Sequence, residues 1–128
     1  MYKRALTAGA MFAALAVILG AFGAHALKEK LAVDQLAVFE TGVRYQFYHS
    51  FALLITGVVF PAFPAKSLRL AATFFIAGIV LFSGSLYAMS LLSITGASLG
   101  PVGIFTPIGG LFFIMGWMAF FLGVMKKQ

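Results

Sequence analysis

Four long apolar runs, joined by short polar links, constrain this chain more than any other feature. They cover roughly Leu6 to Ala26, Tyr45 to Phe60, Leu68 to Leu92 and Pro107 to Met125. A bilayer-crossing helix needs about 20 mostly apolar residues, and inside hydrocarbon only intrahelical bonds can satisfy its backbone. The chain is 62% hydrophobic and 9% charged over 128 residues, where soluble domains carry roughly 25% charged residues. It has too little polar surface to cover a water-facing exterior. The expected fold is an all-α membrane protein: one polytopic domain, residues 1–128, of four transmembrane helices in an antiparallel bundle.

The second run is short from Tyr45, but Asp34 and the following QLAVFETGVRYQ extend it upstream. Asp is a favoured N-cap, because its carboxylate accepts from first-turn N–H groups. A helix over 35–60 would be ~39 Å long at 1.5 Å per residue, with Leu36 and Phe39 facing inward. Pro61 and Pro64 end it, since proline cannot continue the ladder. Ser67 is placed to cap the third helix, over 68–92. Thr106 and Pro107 suit N-cap and N1 of the fourth, over 107–125. The intervening TGASLGPVG reads as a turn.

Lys and Arg set the orientation. Lys3, Arg4, Lys66, Arg69, Lys126 and Lys127 would share one side, against Lys28, Lys30 and Arg44 on the other. The basic excess marks the cytoplasmic side, so both termini are expected inside, in a multi-pass inner (plasma) membrane protein. The formal net charge of +6 sits at the ends of apolar runs, which excludes nucleic acid as a partner and leaves the lipid bilayer. No cysteine is present, so disulfides, thiolate catalysis and Cys-ligated metals are excluded, and no metal site or cofactor is expected.

The segment GAFGAHALKEK, residues 20–30, poses a separate question. Lys3 and Arg4 followed by an apolar run and Ala24-His25-Ala26 partly match a cleavable signal peptide. The run is too long, at about 20 residues, and is of spanning length. Four blocks in order, GAFGAHALK, FETGVRYQFYHSFALL, FSGSLYAMSL and GPVGIFTPIGGLFFIMGW, resemble the small bacterial inner-membrane proteins of uncharacterised protein family 0382, or domain of unknown function 423, which has similar eukaryotic members. The resemblance covers nearly the whole chain. It implies that the first helix is retained and strengthens the four-helix topology, and it implies no particular activity.

Ionisable groups in a membrane cost ~2.5–3.5 kcal/mol at a helix centre on insertion scales, so they are candidates for function. His25 is expected near the outer end of helix one, and Arg44, Tyr45, Gln46, Tyr48 and His49 in the outer part of helix two. Residues three or four apart share a helix face. Glu40, Arg44 and Tyr48 thus form one column, with an expected Glu40–Arg44 ion pair, and Tyr45 and His49 form another. Two readings stand: interfacial anchoring, with Arg44 snorkelling and the tyrosines in an aromatic belt, or a functional cluster centred on His25 and His49. A secondary set is Ser83, Tyr87 and Ser90 on one face of helix three, as inter-helix glue or as the lining of a polar path. Gly9, Ala13, Ala16, Gly20 and Ala24 on helix one, and Gly109, Gly110 and Gly116 on helix four, are expected to allow close packing within the bundle or between subunits. Trp117 reads as a packing residue.

No nucleophile–base–orienter set is present, so no catalytic residue is assigned and the chain is not expected to be an enzyme. The favoured function is a non-enzymatic accessory or assembly protein, or a homo-oligomer, with short loops and packing faces. The alternative is a small-solute or ion transporter or channel using the His/Arg/Tyr cluster. A lesser alternative is a bis-histidine haem protein with His25 and His49 as axial ligands.

Overall fold

The computed structural model describes residues 1–96 and 100–126. Among them there is no strand. The helices are α1 (Lys3–His25), α2 (Val33–Val59), α3 (Ala65–Gly78), α4 (Gly84–Leu92), α5 (Gly100–Gly103) and α6 (Phe105–Met125). A π-helical segment, Ile79–Ser83, joins α3 to α4 without a break, and α5 runs into α6 through Ile104. The chain therefore forms four rods.

Three of these rods, Lys3–His25, Ala65–Thr95 and Gly100–Met125, are long and apolar enough to cross a membrane. The fourth, α2, is long enough at 27 residues but does not reach the same hydropathy. It carries Asp34, Glu40, Arg44, Gln46 and His49. It is also the central helix, packed on one side by α1 and on another by the α3/α4 rod, and α6 packs on that rod too. α2 and α6 thus sit on a common neighbour.

Two seams hold the rods close. In α1, Gly9, Ala16 and Gly23 recur at intervals of seven and are buried. A Cβ on Gly9 would lie 2.9 Å from the Ser50 carbonyl oxygen, and one on Gly23 would lie 3.0 Å from the Phe39 ring. In α6, Gly109, Gly116 and Gly123 recur at the same interval, all buried. A Cβ on Gly109 would be 2.3 Å from the Phe82 backbone nitrogen, in the π-helical segment. A seven-residue recurrence keeps one face of a helix on its neighbour, and small residues let the backbones approach. The stripe read on helix one is partly displaced: Ala24 is exposed and Gly23 takes the contact.

The expected caps are not the ones used. Ala32, not Asp34, holds the N-cap of α2, and Asp34 stands in its first turn, where a carboxylate still favours the positive helix end. α3 begins at Ala65 behind Pro64, two residues before Ser67. Thr106 lies inside α6 and its hydroxyl meets Ser85. Helix two starts earlier than its apolar run because Phe39, Gly42 and Val43 are buried, as are Leu27 and Leu31 before it. In the TGASLGPVG link, Gly96 has φ 72°, the left-handed conformation in which glycine closes a helix. Residues 97–99 of that link, and Lys127, lie outside the described residues.

Candidate functional site

Gln46 is the middle residue of α2 and is buried. Its amide nitrogen donates to the Phe12 carbonyl of α1 at 2.7 Å. Its amide oxygen accepts from the Tyr87 hydroxyl of α4 at 2.7 Å. One side chain thus ties α1, α2 and α4 together. One turn earlier, the Ser83 hydroxyl donates to the Gly42 carbonyl at 2.7 Å. Gly42 is glycine for a reason at this point, since a Cβ there would meet the Tyr87 ring at 2.7 Å. Ser83 and Tyr87 thus both bond between helices. Ser90 bonds within its own helix, to the Leu86 carbonyl.

His49, one turn further along, meets α6. The Trp117 indole N–H donates to His49 Nε2 at 3.1 Å, which leaves the ring proton on Nδ1, donating to the Tyr45 carbonyl at 2.7 Å. The imidazole lies flat on Phe113, with ring centroids 3.5 Å apart and planes 7° apart. Beside it a crevice of about 740 Å³ opens laterally between α2 and α6. Tyr45, Tyr48, Phe82, Leu111, Ile114 and Trp117 are among its walls. Tyr45 packs on Phe82 at 4.8 Å.

The residues singled out from sequence therefore separate into three places. Gln46 and His49 are buried one turn apart on α2 and bond to different rods. Glu40, Arg44, Tyr45 and Tyr48 are exposed in the isolated chain, and Glu40 and Arg44 do not close into an ion pair. His25 is exposed at the end of α1, which runs antiparallel to α2 with Gly23 against Phe39. His49 lies ten residues further along α2 than Phe39, or ~15 Å at 1.5 Å per residue, so the two histidines do not form one cluster. The group from Arg44 to His49 stands about the middle of α2, which spans Val33–Val59 against the expected 35–60. Three participants were missed. Trp117 was read as packing, the Phe12 carbonyl is invisible to side-chain reasoning, and Ser85–Thr106 joins two rods in place of a cap.

Among the described residues no group of three or more His, Cys, Asp or Glu converges as a metal site. The family model described as "Protein of unknown function (DUF423)" matches residues 19–110. The "UPF0382 membrane protein SAB0533" of Staphylococcus aureus (strain bovine RF122 / ET3-1) is 42% identical over 118 residues, covering 92% of each chain. The "UPF0382 membrane protein YwdK" of Bacillus subtilis (strain 168) is 42% identical over 119 residues, covering 92% of this chain and 93% of its own. A "UPF0382 membrane protein" of Haemophilus influenzae is 36% identical over 129 aligned positions, covering 100% of this chain and 98% of its own. No solved structure matches. With the family model spanning most of the chain, and end-to-end relatives that are themselves named as membrane proteins, this all-helical chain belongs to the DUF423 family of UPF0382 membrane proteins.

Proposed function

We propose that the chain is a non-enzymatic accessory or assembly protein of the inner membrane, acting through lateral contacts of α2 rather than through its interior. In this reading all four rods cross the bilayer and both termini are cytoplasmic, as the Lys and Arg distribution favours. The observation that carries it is the state of the polar groups inside the bundle. Among the described residues, no buried side-chain nitrogen or oxygen lacks a hydrogen-bond partner. Gln46, Ser50, Thr56 and Ser83 all bond to the chain itself. A carrier needs polar groups free to take up a solute or ion, and the three acidic residues of the chain, Glu29, Asp34 and Glu40, are all exposed. A haem held by His25 and His49 would need them to face one iron, and His49 already uses both ring nitrogens.

Purified protein in sealed vesicles tests this reading. The expected result is no flux of ions or small polar solutes above that of protein-free vesicles, together with discrete protein adducts in cells from a photoreactive residue placed on the outward face of α2. Solute flux that disappears in the Gln46→Leu variant would overturn it in favour of the carrier.

A further inference from the structure

We infer that the outward face of α2 is the interface of a parallel homodimer, in which Glu40 of each copy pairs with Arg44 of the other. This rests on the lateral-assembly reading above and names the partner: a second copy of this chain.

The argument begins with what α2 exposes. Arg44, Tyr48, Phe51, Ile55 and Val58 are all exposed and follow one another at intervals of four, three, four and three. That 3.5-residue recurrence is the seam of two parallel helices. Tyr48 and Phe51 are each 52% exposed, Ile55 50% and Val58 58%. The outward surfaces of the other rods are lipid-compatible by composition, since those rods are apolar enough to span. The outward surface of α2 is not. It adds Glu40 and Arg44, which together with Gly20 and Gly23 of α1 line a crevice of about 320 Å³ on that side. These positions lie below the end of α1, where a lone Arg facing lipid would be costly. Neither charge has a partner among the described residues.

A second copy cancels both charges at once. Two copies inserted with the same orientation relate by a two-fold axis along the membrane normal, so each patch must complement itself. Glu40 and Arg44 are one turn apart, ~6 Å along the axis at 1.5 Å per residue. Their long side chains can bridge that offset across the seam, giving two identical pairs flanking the Tyr48 and Phe51 rings. A different protein would need the opposite charge order at the same depth, whereas this chain carries its own complement.

The chain has no cysteine, so a single introduced thiol reports the interface directly. In native membranes, Phe51→Cys should form a disulfide-linked dimer under mild oxidation, and Val17→Cys on the exposed face of α1 should not. On the Phe51→Cys background, Glu40→Arg or Arg44→Glu places like charges across the seam and should lower dimer yield by roughly tenfold, the change that 1.4 kcal/mol produces. The double variant Glu40→Arg/Arg44→Glu should restore it. Arg44→Gln serves as the milder variant should Arg44→Glu fail to insert, and should lower the yield in the same direction. No dimer from Phe51→Cys, or no restoration in the double variant, overturns the inference. In that event, photoadducts from α2 to another membrane protein would leave the lateral-assembly reading standing. Their absence from every outward α2 position would remove that reading too.

Discussion

The inward and outward faces of α2 carry similar numbers of polar groups and treat them oppositely. Inward, Gln46 bonds to two other rods, Ser83 reaches the Gly42 carbonyl, and His49 is held between Tyr45 and Trp117. Outward, Glu40 and Arg44 have no partner among the described residues. An unmade hydrogen bond away from water costs more than a made one gains, so the inward face is complete and the outward face is not. Completeness inside identifies the groups that hold this protein together. Incompleteness outside identifies where something else is expected. Hydropathy alone shows neither, because it scores α2 as one helix with one value.

The comparison breaks most readily at Gly42. Gly42→Val would push the Tyr87 ring aside, as even a Cβ approaches it to 2.7 Å, and would take the Tyr87 hydroxyl off Gln46 with it. Overpacking costs about 1–3 kcal/mol, and the lost bond adds to that. The expected result is the largest drop in unfolding midpoint of the variants considered, read by SDS titration in bicelles. Thr41→Val, one residue away and bonded only to its own helix, should leave the midpoint in place. Equal stability of Gly42→Val and the parent would mean that the inward face is not tightly packed there.

Next comes Gln46→Leu, which removes two inter-rod bonds and leaves the Tyr87 hydroxyl buried without its acceptor. The expected loss is about 1–3 kcal/mol, the cost of an orphaned buried group, against ~0.6 kcal/mol for an average inter-helix bond in a membrane. Arg44→Gln on the outward face should leave the unfolding of the monomer unchanged while lowering dimer yield. An unfolding midpoint that falls equally in both variants would erase the distinction between the two faces.

Much of this arrangement was legible in the sequence. The apolar runs located all four rods, and Asp34 with the residues after it showed that α2 starts upstream of its apolar core. The column Glu40, Arg44 and Tyr48 follows from helical spacing alone, as does the shared face of Ser83 and Tyr87. What spacing could not supply was depth and neighbour. Placing Arg44 to His49 in the outer part of helix two left open which residue is its middle, and the observed span Val33–Val59 makes that Gln46. Pairing His25 with His49 rested on antiparallel helices sharing one leaflet, and distance along α2 separates them, with Gly23 against Phe39 and His49 ten residues further on. The partners of Gln46 were unreadable because one is a backbone carbonyl, and carbonyls carry no residue signature. Thr106 looked like a cap because Thr-Pro favours one, yet α6 begins at Phe105 after the helical turn Gly100–Gly103, and the Thr106 hydroxyl meets Ser85.

The smallest expected effect separates α6 from both faces. Trp117→Phe keeps an aromatic ring against Phe75, 5.0 Å away by centroid, and removes only the indole N–H from His49 Nε2. His49 retains its bond to the Tyr45 carbonyl and its stacking on Phe113, so one inter-rod bond is lost, worth ~0.6 kcal/mol on average in membranes. Trp117 is itself 42% exposed, so little packing is lost with it. The unfolding midpoint should shift slightly and the Phe51→Cys dimer yield not at all, because Arg44, Phe51, Ile55 and Val58 of the seam are not among the walls of the crevice that Trp117 lines. A loss of dimer in Trp117→Phe would show that the α2–α6 crevice, not the Glu40–Arg44 face, is where the second copy sits.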